Sequence, residues 1–275
     1  MAAQTQMLAE PEAGAIQAVI PYVVAGEHAV FYPGQRELSY WPTEDHTVTI
    51  RDMRPIAEDL ALEGNGFVLR RRPTEVTDFN DAEHRKAVYY PEVEALAKEL
   101  LGARRVLIFG DVARTDAAGT PDGRLPARGA HVDYIARTVR WWTEQLVGPE
   151  EAAELCKGRF VLMNIWRPIV PVEKTPLALC DAASVAAGDL NPSEVRGGLV
   201  NPHQETMHGL NLSYSPDHRW YYAPHMQPDE VLAFKLCDSD ESRLQWTGHT
   251  AFDDPTSRPD AAPRQSLEIR TISFF

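Results

Sequence analysis

His131 and Asp133 stand two positions apart in the stretch GAHVDYIA (residues 129–136), which has the character of the start of a β-strand. Residues i and i+2 of a strand point to the same side, so this imidazole and this carboxylate can reach one ion. Two histidines and one carboxylate with open coordination positions are typical of a non-haem iron(II) site. An H-x-D pair also arises by chance on an exposed polar strand, so the metal interpretation needs a third ligand.

The third ligand has to come from the histidines elsewhere in the chain. We select His249, because it stands in TGHTAF, directly after a glycine and ahead of a short β-type run. In a barrel of two sheets, such a residue can face the interior opposite the H-x-D strand. A rival H-x-E pair, His203 and Glu205, lies in a predicted loop that can line the substrate entrance instead. The other histidines fall in predicted loops, turns or a polar helix start: His28, His46, His84, His208, His218 and His225.

The last predicted strand offers a binding site for a co-substrate. A 2-oxo acid that chelates iron through its keto oxygen and one carboxylate leaves its far carboxylate to be held by a cation, and the fork of arginine suits that task. Arg264 and Ser266 form an R-x-S pattern, and Arg270 shares their side of the strand, so either arginine can be the anchor. In MNIWRP, Asn164 can bind the co-substrate carboxylate near the iron.

Three residues are candidates for contact with the substrate, and each has a structural alternative. Arg167 takes the face opposite Asn164 and can instead pair with an acid such as Asp181. Trp220 in HRWYY can instead belong to an aromatic core strand. Trp141 has the helical spacing of a packing residue, although it follows the H-x-D strand closely enough to form a wall of the pocket.

Several blocks in the same order resemble one family of oxygenases: YYPEVEALAKELLGARRV, HVDY, GRFVLMNIWRP, SPDHRWYYAPHMQPDEVLAFKLCDS, HTAFDDP and PRQSLEIR. The family includes the partner protein of cephamycin 7-methoxylase, fungal hydroxylase/desaturase proteins of secondary metabolism and gibberellin desaturase-like proteins. The resemblance extends over about residues 28–275. It implies a jelly roll with Fe(II) and 2-oxoglutarate, with His131, Asp133 and His249 as metal ligands and Arg264 or Arg270 as the anchor.

The activity that the resemblance implies is oxidative tailoring of a natural product. We expect hydroxylation, desaturation or related C–H oxidation of a lipophilic or polycyclic small molecule, with ascorbate as the reductant in the assay. One alternative is a helper protein that retains the fold and binds another enzyme, as the cephamycin member does. Another is a cupin-type metalloenzyme that uses neither 2-oxoglutarate nor an arginine anchor.

The composition excludes several classes of protein. The net charge of −13, from 40 acidic and 27 basic residues, disfavours binding to nucleic acid or anionic lipid. No apolar run is long enough to span a membrane, and no secretory signal is recognisable, so we predict a cytoplasmic protein. Exposed strand edges are compatible with a homodimer.

The elements that must position these residues are mainly β-strands. An amphipathic helix is predicted over residues 90–102, and helical periodicity over 137–157 is interrupted at Gly148-Pro149. After residue 159, short β-type runs alternate with turn residues, and no G-x-G-x-x-G or P-loop is present. We predict a mainly β fold with flanking helices, a double-stranded β-helix (jelly roll), in which residues 1–15 form a flexible tail and 16–275 one domain.

Overall fold

The computed structural model describes residues 14–32, 35–120, 124–197 and 206–275. Within these ranges the chain forms fourteen strands: β1 (Ala15–Val23), β2 (Ala29–Phe31), β3 (Thr43–Asp52), β4 (Phe67–Arg71), β5 (Arg105–Thr115), β6 (His131–Val132), β7 (Phe160–Pro168), β8 (Leu177–Cys180), β9 (Leu190–Arg196), β10 (Thr206–Leu212), β11 (Trp220–Tyr222), β12 (Glu230–Asp238), β13 (His249–Ala251) and β14 (Gln265–Phe274). The helices are α1 (Ala82–His84), α2 (Tyr90–Leu101), α3 (Val139–Val147) and α4 (Pro149–Leu155), and one π-helical turn joins α1 to α2.

The strands form two sheets that pack face to face, which confirms the predicted jelly roll. The large sheet has nine strands in the order β1-β3-β11-β8-β13-β6-β10-β9-β2, and the small sheet has five in the order β4-β12-β7-β14-β5. All pairs are antiparallel except β11 with β3 and β2 with β9. The central strands of each sheet therefore present one face to the space between the sheets.

The main core fills that space, because side chains alternate between the two faces of a strand. Leu162 and Trp166 of β7 contribute to it from the small sheet, and Val132 and Leu179 contribute to it from the large sheet. On β14 the inward residues include Ile272 and Phe274 at one end, whereas polar residues occupy the inward positions at the other end. This polar end of the small sheet faces the H-x-D strand.

A second core lies on the outer face of the small sheet. Helix α2 covers this face with its apolar side, on which Val93, Leu96 and Ala97 are buried. They share this second cluster with outward residues of the small sheet, including Val161, Met163, Ile165, Leu267 and Ile269. The prediction of this helix is confirmed: Pro91 stands in its first turn, and Gly102 ends it in the left-handed region at φ 72°.

The structure also shows which of the helices and strands were predicted correctly from the sequence and which were missed. The helical region over 137–157 divides at Gly148, as predicted, into α3 and α4. The prediction missed β2 and β9, two neighbouring strands at the edge of the large sheet. Residues 1–13, most of the predicted tail, lie outside the described residues. None of the helices in the described ranges has the length and apolar character needed to cross a membrane.

Candidate metal centre

The two histidines of the predicted metal site lie side by side on paired strands. Strand β13 pairs with β6 in antiparallel register, and this pairing sets His249 directly against His131. The ring centroids are 4.3 Å apart. The expectation that His249 faces the H-x-D strand from across the barrel was therefore wrong, because both strands belong to the large sheet. Neighbouring strands bring the imidazoles together more directly than opposite sheets would.

Asp133 completes the group just beyond the end of β6. Its two carboxylate oxygens lie 3.4 Å from Nε2 of His131 and 3.5 Å from Nε2 of His249. Both distances exceed those of ordinary hydrogen bonds, and they suit three ligands that face a common centre. Across the described ranges, this trio is the one group of His, Cys, Asp and Glu side chains whose arrangement could hold a metal ion.

Both imidazoles are oriented by backbone carbonyl groups. Nδ1 of His131 lies 2.8 Å from the carbonyl oxygen of Gly129, and Nδ1 of His249 lies 3.2 Å from that of Thr247. Since a carbonyl oxygen can only accept, each Nδ1 carries the proton and donates it. In the neutral form of each ring, Nε2 then has the lone pair and faces Asp133, which is the arrangement that metal-binding histidines adopt.

The carboxylate of Asp133 stays ionised although most of its surface is removed from solvent. Burial by itself raises its pKa, but the neighbouring imidazoles of His131 and His249 hold the pKa well below the usual value. Burial likewise lowers the pKa of His249, and the carboxylate of Asp133 overcomes this and raises it. An ionised carboxylate between two histidines is the charge distribution that a divalent cation requires.

Asn164 supports Asp133. Its amide Nδ2 donates to Oδ2 of Asp133 over 2.8 Å, which fixes the orientation of the carboxylate. Its other amide atom, Oδ1, is buried without a hydrogen-bond partner in the described structure. Asn164 and Trp166 point inward from β7, as the alternation of the strand predicts.

Arg264 lies in the same pocket as the three metal-ligand candidates, and almost none of its surface is exposed. Nη1 donates to the carbonyl oxygen of Thr175 over 2.8 Å, while Nε has no partner in the described structure. The hydroxyl of Ser266 is also buried without a partner. Burial, followed by the nearby guanidinium of Arg114, lowers the pKa of Arg264 to about 9. These buried donors are free to bind an anion.

Arg270 has other contacts than Arg264, although its side chain also faces the space between the two sheets. Its Nε lies 3.2 Å from Oε1 of Glu268, and its guanidinium stacks over the ring of Tyr134 at 5.1 Å. Glu268 lines the pocket, whereas Arg270 does not. Of the two arginines that the sequence left open as anchor, Arg264 is the one whose side chain reaches the pocket.

Three charged or aromatic residues of the pocket were not assigned from the sequence: Arg114, Trp166 and Glu268. Glu268 had a recognisable signal, because it shares the side of β14 that carries Arg264 and Ser266. Arg114 had none, since only the pairing of β5 with β14 brings it opposite Ser266.

The structure does not bring the three predicted substrate contacts to the pocket. The guanidinium of Arg167 lies on the outer face of the small sheet, where it donates to Tyr89. Its predicted pairing with Asp181 was wrong, because Arg219 takes that carboxylate. Trp220 is fully buried and donates from Nε1 to the hydroxyl of Tyr22 over 2.7 Å.

Trp141 lies on α3 and packs edge to face against Trp142, with ring centroids 4.7 Å apart. It is not among the residues that line the pocket. The rival H-x-E pair, His203 and Glu205, lies outside the described residues.

The buried atoms without partners fit the groups that such a site would bind. An ionised carboxylate between two Nε2 atoms suits Fe(II), and the free donors of Arg264 and Ser266 suit a carboxylate of 2-oxoglutarate. Fold and site together define the class of jelly-roll metalloenzymes with two histidines and one carboxylate.

Comparison with known proteins places the chain within that class. A family model described as "YDMC: Oxidoreductase/YMDC permease-like domain" matches residues 17–274. The Fe(II)/2-oxoglutarate-dependent dioxygenase nvfI of Aspergillus novofumigatus is 31% identical over 248 residues, which are 88% of this chain and 87% of that protein. The hydroxylase/desaturase CTB9 of Cercospora beticola is 30% identical over 272 residues, or 91% and 83% of the two chains.

A solved structure agrees with these relatives. The iron and alpha-ketoglutarate-dependent endoperoxidase NvfI superposes with a TM-score of 0.84 at 27% identity, over 96% of this chain and 99% of that one. The chain belongs to the family of Fe(II)/2-oxoglutarate-dependent dioxygenases and hydroxylase/desaturases that act in fungal natural-product biosynthesis. It is a dioxygenase whose cofactors are Fe(II) and 2-oxoglutarate.

Proposed function

We propose that His131, Asp133 and His249 hold the Fe(II), and that Arg264 and Ser266 hold the far carboxylate of 2-oxoglutarate, in an enzyme that oxidises a C–H bond of a lipophilic natural product. The observation that carries this proposal is that the three metal-ligand candidates and Arg264 line one pocket. Residues from the two sheets meet there: the ligands come from the large sheet, and the anchor precedes β14 of the small sheet.

Each residue has a task that follows from its contacts. The carbonyl groups of Gly129 and Thr247 accept from Nδ1, so in each neutral imidazole the lone pair lies on Nε2 and can bind metal. Asn164 holds the carboxylate of Asp133 toward them. Arg264 supplies donors in a water-poor pocket, where an ion pair is stronger than at the surface, and the buried hydroxyl of Ser266 lies on the same side of the strand. When bound, Fe(II) and 2-oxoglutarate would supply the electrons that activate dioxygen for attack on a C–H bond.

The walls of the pocket favour an apolar substrate. Ala127, Leu177 and Ala251 line it beside the aromatic ring of Trp166. Small and apolar side chains next to a metal suit a molecule with few charges. The homodimer, the cytoplasmic location and the likeness to the cephamycin partner protein stay predictions from the sequence.

The test measures succinate formation by the purified protein with Fe(II), ascorbate and 2-oxoglutarate, with and without lipophilic candidate substrates. We expect succinate from the wild-type protein even without substrate, and at least about 100-fold less from His131→Ala, because loss of a ligand weakens metal binding. A parallel calorimetric titration with Mn(II) should show the same loss of metal affinity.

His28→Ala is the matched control, because His28 is half-exposed and contacts Glu194 rather than the pocket. It should retain both metal binding and succinate formation. If the wild-type protein binds neither metal nor 2-oxoglutarate, the catalytic proposal is wrong and the helper protein becomes the better explanation. If metal binds but 2-oxoglutarate does not, the cupin-type alternative is favoured.

A further inference from the structure

Two arginines in the metal pocket lack an acidic partner. Arg264 and Arg114 both line the pocket, and within the described part of the chain neither forms an ion pair. By contrast, Arg270, which faces the same interior, is matched by Glu268, and the half-buried Arg159 is matched by Asp238. A second unmatched cation beside the anchor therefore needs an explanation of its own.

The strand register places Arg114 at the anchor end of the pocket. β5 is the edge strand of the small sheet, and its Arg114 stands opposite Ser266 of β14. Directly opposed residues of an antiparallel pair point to the same side. Arg114, Ser266 and Arg264 thus surround one region, in which the hydroxyl of Ser266 and Nε of Arg264 have no partner.

The hydrogen bonding of Arg114 leaves most of its donors available. One atom, Nη1, donates to the carbonyl oxygen of Leu125 over 2.8 Å. A guanidinium carries five N–H donors in a planar fork, so this single contact orients the group without exhausting it. Leu125 belongs to the segment that leads into the H-x-D strand, and the contact keeps the guanidinium beside the pocket.

We propose that Arg114 is a second anchor for 2-oxoglutarate, which together with Arg264 clamps the far carboxylate of the co-substrate between two guanidinium groups. This inference rests on the proposed function and assigns a further binding residue to that site. Arg264 is buried and Arg114 is half-buried, and two neighbouring cations repel each other, which contributes to the lowered pKa of Arg264. A carboxylate between the two guanidinium groups removes the repulsion, so the pocket without ligand favours the binding of an anion.

The test compares two oxo acids on protein loaded with Mn(II), by calorimetry. 2-Oxoglutarate has the far carboxylate, whereas 2-oxovalerate has the same carbon chain with a methyl group in its place. Arg114→Gln should weaken 2-oxoglutarate binding about 10- to 100-fold, the usual effect of losing charge-assisted hydrogen bonds, and should leave 2-oxovalerate binding unchanged. Arg114→Lys keeps the charge without the fork, so its loss should be smaller.

Arg105→Gln is the matched control, because Arg105 lies on the same strand β5 but pairs with the exposed Glu151 outside the pocket. It should bind both acids like the wild type. The inference is wrong if Arg114→Gln weakens both acids equally, which would indicate that Arg114 only holds the Leu125 segment. It is also wrong if Arg114→Gln leaves 2-oxoglutarate affinity unchanged, which would indicate that Arg114 binds an anionic group of the substrate instead. Failure of the wild-type protein to bind either acid contradicts the proposed function itself.

Discussion

The two faces of the small sheet each carry a fully buried arginine in a different state. Arg167, on the outer face, donates from Nε to Tyr89 over 2.9 Å and from its two terminal nitrogens to the carbonyl groups of Pro228 and Arg72. Arg264, on the inner face, makes one side-chain hydrogen bond, to Thr175, and its Nε has no partner. The two residues lie on neighbouring parts of the same sheet, since Arg167 pairs with Leu267 of β14.

This difference separates a structural arginine from a binding one. A buried donor costs free energy unless it is hydrogen-bonded, so folding stability favours the arrangement around Arg167. The donors of Arg264 and Ser266 are left unmatched at a cost that a bound carboxylate can offset. Buried polar atoms without partners on one face, and matched ones on the other, thus indicate where the ligand binds.

The largest expected effect belongs to the outer face. Arg167→Met should lower the free energy of unfolding by about 3–5 kcal/mol, because the hydroxyl of Tyr89 and two carbonyl groups lose their donor. Chemical denaturation measures the change. The folded protein should still bind 2-oxoglutarate with wild-type affinity, and a selective loss of that affinity would contradict the structural role.

The same substitution on the inner face should have the opposite pattern. Arg264→Met should weaken 2-oxoglutarate binding about 100-fold, because the main charge-assisted contact to the far carboxylate is lost. Its free energy of unfolding should stay within about 1 kcal/mol of the wild type or rise, since an incompletely bonded buried cation is removed. Strong destabilisation with unchanged 2-oxoglutarate affinity would make the two arginines equivalent and refute the comparison.

Substitution of Asn164 tests the inner face of the small sheet by its effect on metal affinity, not on co-substrate affinity. Asn164→Ala removes the donor that orients Asp133, so Mn(II) affinity should fall about 10-fold, the lower end of the effect of such supporting residues. Calorimetric titration measures it. An unchanged metal affinity would show that the carboxylate needs no such support.

The smallest effect is expected for Ser266. Ser266→Ala should weaken 2-oxoglutarate binding about 5-fold, because one neutral hydrogen bond contributes on the order of 1 kcal/mol. Stability should not fall, since the hydroxyl has no partner to lose in the described structure. A drop in the unfolding free energy with no change in affinity would assign the hydroxyl to the fold.

The sequence predicted local features of the fold well, because these depend on neighbouring residues. Helix α2, with Pro91 near its start and Gly102 at its end, is readable from its own residues. The apolar strands of the core are also readable from their own residues. The edge strands β2 and β9 were missed, because they carry weak apolar patterns and are stabilised mainly by pairing with each other and with neighbours.

The sequence by itself determined which side chains share a strand face: the spacing of His131 and Asp133, and the inward set of Arg264, Ser266 and Arg270. Tertiary structure alone decided that β13 lies beside β6, that Glu268 and Tyr134 engage Arg270, and that Arg114 meets Ser266 across a strand pair. The physical reason is that side-chain alternation is set by the local backbone, whereas strand order and register depend on the packing of the whole chain.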